Sequence, residues 1–266
     1  MSLPQNLDQF ATLVDIIARL RAPDGCPWDR KQTHASLREN LLEECYEVLE
    51  TLDKGDSDRL CDELGDLLMQ VVLHTRIATE AGEFELGDVL SGINTKLIRR
   101  HPHIFGSLEV KDAEEVALNW EALKKKERNA DASILSSVPK NMPALTYSQS
   151  MQRRVAQDGF DWDDDRDVIN KLVEEVKELK QADTEEQKAL EFGDLVFTLA
   201  NIARREGIDL ESALREANQR FSQRFTYMER VCRQRGLNLG GLSSDEKIAL
   251  WEEARKGVGG WRNGRG

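Results

Sequence analysis

Glu44, Glu47, Glu63 and Asp66 are the residues whose types and spacing point most directly to chemistry. They form two pairs, each three residues apart, in the order E-E-x-x-E then E-x-x-D. The same order recurs at Glu175, Glu178, Glu191 and Asp194. At about 100° per residue, with Leu41 set to zero, Glu44 and Glu47 fall at about 300° and 240°. With Leu60 set to zero, Glu63 and Asp66 fall at about the same two angles. Each helix then carries a carboxylate pair on the same flank of its apolar stripe, and antiparallel pairing brings the four together. Like charges one turn apart repel, so four carboxylates beside a core need a cation. Hard divalent ions take oxygen ligands, and Mg²⁺ brings substrate phosphates and water with it. A solvated acidic edge, paired with Lys and Arg, is the other reading of a single such helix. Its duplication in the same order favours the metal.

The cationic and aromatic residues fit around an anionic substrate. Lys96 and Arg100 are four apart, as are Arg220 and Arg224, and each pair follows an asparagine, Asn94 or Asn218. Two cations one turn apart can grip a metal-bound polyphosphate; solvated surface charge is the alternative. Trp120 and Trp251 lie on the last helical segment of each half. A flat ring there can stack on a nucleobase, or it can pack in a core. Neither G-x-x-x-x-G-K-[ST] nor G-x-G-x-x-G occurs, so a nucleotide is not held by a glycine-rich loop.

Helices must position these groups. Apolar residues recur at helical spacing over 6–20, 35–53, 57–81, 86–100 and 112–128, and again over 144–157, 165–182, 185–206, 209–235 and 243–256. The stripes Leu42, Cys45, Val48, Leu49, Leu52 and Leu64, Leu67, Leu68, Val71 read as core faces. Glycine inside a helix costs about 1 kcal/mol relative to alanine, so Gly65 and Gly193 predict close helix approach beside the acids. Pro102 predicts a helix stop at His101, a reading preferred to a His101/His103 ligand pair. The halves repeat in order: the acidic motifs, NTKLIRR against NQRFSQR, PWD against DWD, and Trp120-Glu121 against Trp251-Glu252. The chain therefore reads as an all-α tandem duplication, with a first unit at 1–128, a Ser/Asn/Pro-rich linker at 129–143, a second unit at 144–256 and a glycine-rich disordered tail at 257–266.

Composition narrows the partners. The 37 basic residues against 49 acidic ones, a net charge of −12, argue against general nucleic-acid binding. No apolar run approaches the ~18 residues of a membrane span, and the first residues lack the pattern of a secretory signal. Cys26, Cys45, Cys61 and Cys232 form no C-x-x-C and read as reduced core residues of a cytoplasmic protein.

The acidic motif resembles that of the MazG-type nucleoside triphosphate pyrophosphohydrolases. The resemblance covers nearly the whole chain, including the tandem organisation, CPWD (26–29), RRHPHIF (99–105), VPKNMPAL (138–145) and GFDW (159–162). It implies an all-α fold of two tandem helical-bundle units, a homodimer, and Mg²⁺-dependent hydrolysis (Mn²⁺ as a substitute) of NTPs and dNTPs to monophosphate and pyrophosphate. Carried over by position, the metal ligands are Glu44, Glu47, Glu63 and Asp66, and Glu175, Glu178, Glu191 and Asp194. The triphosphate contacts are Lys96, Arg100, Arg220 and Arg224, and the base-proximal rings are Trp120 and Trp251. The family often has Lys where this chain has Arg220, and Arg binds phosphate with a different geometry. The implied mechanism is in-line attack of water on the α-phosphorus, with Glu43 or Glu174 orienting or deprotonating the water. A non-catalytic regulator or scaffold that binds Mg²⁺ and nucleotide is the alternative. The second unit is expected to carry most of the turnover. Glu→Gln at the acids, Glu175 included, is expected to hold or raise apo stability by relieving repulsion.

Overall fold

The computed structural model describes residues 5–127 and 133–257, and among these there is helix and 3-10 turn but no strand. The chain divides into two compact units, Met1–Arg128 and Asn129–Gly266. Among the described residues no helix is long and apolar enough to cross a membrane.

The first unit holds α1 (Phe10–Leu20), α2 (Arg38–Lys54), α3 (Ser57–Ala81), α4 (Leu86–Arg100), α5 (Pro102–Phe105) and α6 (Ala113–Lys126). Turn chemistry sets these limits. Gly55 ends α2 in the left-handed region at φ 67°, and the Asp56 carboxylate accepts from Arg59 N–H to start α3. The connection is too short for anything but an antiparallel hairpin, so the acidic flanks of α2 and α3 face each other. Gly82 (φ 72°) ends α3, and a capping box between Glu85 and Asp88 opens α4. His101 breaks the helix before Pro102 at φ −120°, ψ 58°, its Nδ1 on Leu97 O and its ring edge on Trp120. That is the expected stop, with a packing role for the imidazole.

A small core of Ile17, Leu37, Val72 and Leu73 joins α1, the start of α2 and the middle of α3. The Arg21 side chain, 6% exposed, binds Glu80 of α3 and donates to the carbonyls of Asp29 and Gln32. It thereby fastens the CPWD segment, which forms a 3-10 turn at Asp29–Lys31. His34 Nδ1 meets His74 Nδ1 at 2.8 Å, a second tie from this segment to α3. Burial and the neighbouring His34 lower the His74 pKa.

The second unit holds α7 (Ala144–Ala156), α8 (Asp165–Gln181), α9 (Glu185–Arg205), α10 (Leu210–Arg235) and α11 (Ser244–Gly257). Asp164 caps α8, a Thr184/Gln187 capping box starts α9, and Asp209 caps α10. As in the first unit, arginines fasten the aromatic segment before the acidic hairpin: Arg204 binds Asp161, and Arg205 binds Asp165 and Trp162 O. Buried Gln149 and Gln152 of α7 donate to Ile208 O and Phe197 O, setting α7 on α9 and the α9–α10 turn. Met228, Val231, Cys232, Leu250 and Ala254 form the core between α10 and α11.

Three expectations change. The leucine stripes of the acidic hairpin are not a core within one chain: Leu42 is 55% exposed and Leu64 49%, whereas Glu63 and Glu175 are 8% and 4% exposed. A helical wheel gives angles between side chains but not which face another helix covers, and here Glu63 and Glu175 turn inward. Cys61 lies on the open side and is exposed, and Cys26 and Cys45 are half-buried; only Cys232 is buried. Gly65 and Gly193 do not mark close approach, since a Cβ at either would meet nothing within 4 Å. The segment read as a linker, 129–143, is described from residue 133 onward. There it carries a 3-10 turn, Ile134–Ser137, packed with buried Val138 beside α7. Of the glycine-rich tail, residues 258–266 lie outside the described residues.

Candidate active site

Each acidic hairpin brings three carboxylates to one place. In the first unit, oxygens of Glu44, Glu63 and Asp66 lie within 4.8 Å of one another; in the second, those of Glu175, Glu178 and Glu191 do. Oxygens coordinated to one hard cation at about 2.0–2.6 Å from its centre have such separations, so both donor sets suit one divalent ion. The fourth member of each set sits beside its group. Glu47 and Asp66 both press on Glu44, whose carboxyl is raised above its usual range, first by burial, then by Asp66 and Glu47, against a hydrogen bond from Gln70. Glu191 is raised in the same way, by burial, then by Glu178, Asp194 and Glu175. These are the electrostatics of a site missing positive charge.

Part of that charge comes from the chain itself, through two residues that the sequence reading did not single out. In the first unit Arg59 Nε donates to Glu63 Oε1 at 2.9 Å and its Nη1 lies 3.5 Å from Glu50. In the second, Lys171 Nζ bridges Glu174 and Glu175 at 2.9 Å each, and its pKa is raised. Both cations stand four residues before the buried carboxylate they hold, a spacing that marks a helical ion pair and was legible. They come from opposite helices of the hairpin, Arg59 from α3 and Lys171 from α8. Glu174 is thereby tied to Lys171 while remaining exposed, and Glu43 is exposed on α2.

Lys171 alters what the substitutions should do. With Glu175 buried and ion-paired, Glu175→Gln leaves Lys171 short of a partner, so the apo protein should melt lower than wild type, not higher as repulsion alone predicts. Relief belongs at Glu44. Glu44→Gln removes a half-buried carboxylate of raised pKa and offers an amide donor near Gln70 Oε1, which is buried without a partner. Its apo Tm should rise by roughly 1–3 °C, the scale of a few tenths to one kcal/mol in a chain this long. Thermal unfolding in chelator checks both, and a fall in Glu44→Gln would contradict the charge argument.

One arginine of each basic pair meets the tryptophan of its own unit. Arg100 lies over the Trp120 ring at 5.5 Å and Arg224 over Trp251 at 5.6 Å, a cation–π contact repeated in both units. Phe221 adds to the second, 5.4 Å from Trp251. Both indoles are half-buried, so each packs on one side and keeps an accessible part. Arg100 also pairs with Glu127, and Arg220 loosely with Glu216 at 3.4 Å; Lys96 is exposed. Neither ion pair links a basic residue to an acidic set.

Known proteins show the same organisation. Residues 32–105 match the model of the MazG nucleotide pyrophosphohydrolase domain, and residues 147–221 match that of phosphoribosyl-ATP pyrophosphohydrolase. The chain is 43% identical over 249 residues to the nucleoside triphosphate pyrophosphohydrolase/pyrophosphatase MazG of Thermotoga maritima, covering 93% of this chain and 96% of that one. It is 40% identical over 258 residues to the nucleoside triphosphate pyrophosphohydrolase of Escherichia coli, with 94% and 98% covered. A third relative, the nucleoside triphosphate pyrophosphohydrolase of Mycolicibacterium smegmatis, is 34% identical over 260 residues, with 94% and 72% covered. Two acidic helical hairpins in tandem, and relatives aligned along almost their full lengths, lead to one conclusion: the chain belongs to the MazG family of nucleotide pyrophosphohydrolases.

Proposed function

We propose that this protein hydrolyses nucleoside triphosphates, ribo and deoxy, to monophosphate and pyrophosphate at its acidic hairpins, with Mg²⁺ as the physiological cofactor and Mn²⁺ as a substitute. The observation that carries this reading is the pair of oxygen-only clusters, each with a buried carboxylate and a carboxyl of raised pKa. Oxygen-only donors suit Mg²⁺ and Mn²⁺ over softer metals. Glu44, Glu47, Glu63 and Asp66 would hold the ion in the first unit, and Glu175, Glu178, Glu191 and Asp194 in the second. There it would supply charge neutralisation and an acidified water.

The chain's own residues do the rest. Glu174, beside buried Glu175, and Glu43, beside half-buried Glu44, are both exposed and orient the attacking water and take its proton. Arg220 and Arg224, and Lys96 and Arg100, bind the triphosphate and hold the pyrophosphate as it leaves. Trp251 and Trp120 offer their accessible faces to the base. The test is pyrophosphate release from a mixed dNTP pool with and without Mg²⁺; nucleotide binding without release would support the non-catalytic alternative.

The leucine stripes support a homodimer. Leu42, Leu49, Leu52, Leu64 and Leu68 of the first unit, and Phe192, Phe197 and Phe221 of the second, are exposed, and a second copy of the chain would cover such apolar side chains. Light scattering at micromolar concentration should give about twice 30.2 kDa; a particle of monomer mass would refute it. The net charge of −12 speaks against nucleic acid as a partner, and among the described residues no helix is long and apolar enough to cross a membrane.

A further inference from the structure

Glu127 gives the first unit an anion at a position where the second has valine. Past the end of α6, the Glu127 carboxylate sits against the last turn of α4. Its Oε2 accepts from Arg100 Nη2 at 2.5 Å, and its Oε1 accepts from Arg100 Nε at 3.3 Å. Oε1 also lies 2.7 Å from Arg99 Nη2. Both oxygens are therefore placed along the guanidinium fork of Arg100, whose side chain is only 17% exposed and has Trp120 beside it. Carboxylate and phosphate present the same two-oxygen edge to such a fork, so they compete for it.

The repeat shows that this arrangement is not general to the fold. Trp120 corresponds to Trp251, 131 positions later. In that register Glu127 corresponds to Val258, flanked by Gly257 and Gly259. Arg224 has the same tryptophan contact as Arg100, yet among the described residues no carboxylate pairs with it. One arginine is engaged by an internal acid and the other is left to an outside anion.

We propose that Glu127 sets the nucleotide affinity of the first unit, as a tethered competitor that holds Arg100 against the triphosphate. The inference rests on the reading of Arg100 as a triphosphate contact. A competitor on the same unit acts at an effective concentration in the millimolar range, so nucleotide must displace it before gaining the fork. Removing its charge frees Arg100 without touching the acidic hairpin.

The test uses the full chain with the second unit silenced by Asp194→Ala and Arg224→Ala, and α,β-methylene dATP with Mg²⁺ as the probe, titrated by calorimetry. Adding Glu127→Gln should tighten binding by about 5-fold, the scale of one solvent-accessible ion pair. Glu127→Asp, which keeps the charge, should bind like the parent. Arg100→Ala should weaken binding and erase the gain from Glu127→Gln. If Glu127→Gln binds like its parent while Arg100→Ala still weakens binding, Glu127 is no competitor although Arg100 is a phosphate contact. If Arg100→Ala changes nothing, the reading of Arg100 fails and the proposal with it. An equal gain in Glu127→Asp would mean that packing, not charge, is responsible, and would also overturn it.

Discussion

Alanine at Asp194 is expected to remove nearly all pyrophosphate release, at least about 100-fold in kcat, because even residues that only support a metal ligand cost about 10–100-fold. Alanine at Asp66 is expected to leave most of the activity. Both hairpins carry the same four acids, so the difference must come from what surrounds them. The connection between acid pairs is 12 residues in the second unit (179–190) and 15 in the first (48–62), and a shorter link restricts the helices more tightly. The basic residues differ too. In the first unit Arg100 is engaged by Glu127, whereas Arg224 lies over its tryptophan and, among the described residues, has no carboxylate partner. The assay is kcat of each single mutant at saturating dNTP. Equal halving would indicate two equivalent sites, and the reverse ranking would assign turnover to the first unit.

Excess EDTA is expected to abolish hydrolysis, and Mg²⁺ or Mn²⁺ to restore it. The reason lies in charge that the chain does not balance by itself. Arg59 and Lys171 each neutralise one buried carboxylate, yet Glu44 and Glu191 still sit among like charges with raised pKa values. A triphosphate entering such a site without a cation would add repulsion, so its binding as well as its hydrolysis should collapse. Pyrophosphate release measured before and after chelation, with each metal added back, decides it; undiminished turnover in excess chelator would contradict the metal reading.

Much of the hairpin geometry could be read from the sequence, and the failures have one cause. The span of α3 over 57–81 and of α4 over 86–100 follows from Asp56, Gly82 and the Glu85/Asp88 box, because capping groups act locally. The same locality places Glu44 with Glu47 and Glu63 with Asp66 at one-turn spacing. Which face of the hairpin is covered is not local. Leu42, Leu52 and Leu64 stand in water in the single chain, as does Cys61, because covering that stripe takes helices that periodicity cannot identify. Gly65 and Gly193 mislead for the same reason. Arg59 and Lys171 were within reach, since each stands four residues before a buried acid. The Glu127 contact was not: it joins residues 27 positions apart, one at the end of α4 and one just past α6, and only tertiary structure brings them together.

Attack of water on the α-phosphorus, with pyrophosphate leaving, fixes where a solvent oxygen ends up, so the deciding measurement is the reaction run in H₂¹⁸O. A single dNTP is hydrolysed with Mg²⁺, and the products are separated and weighed by mass spectrometry. The expected products are deoxynucleoside monophosphate carrying one heavy oxygen and unlabelled pyrophosphate. Label in the pyrophosphate, or release of diphosphate nucleotide and orthophosphate, would contradict it.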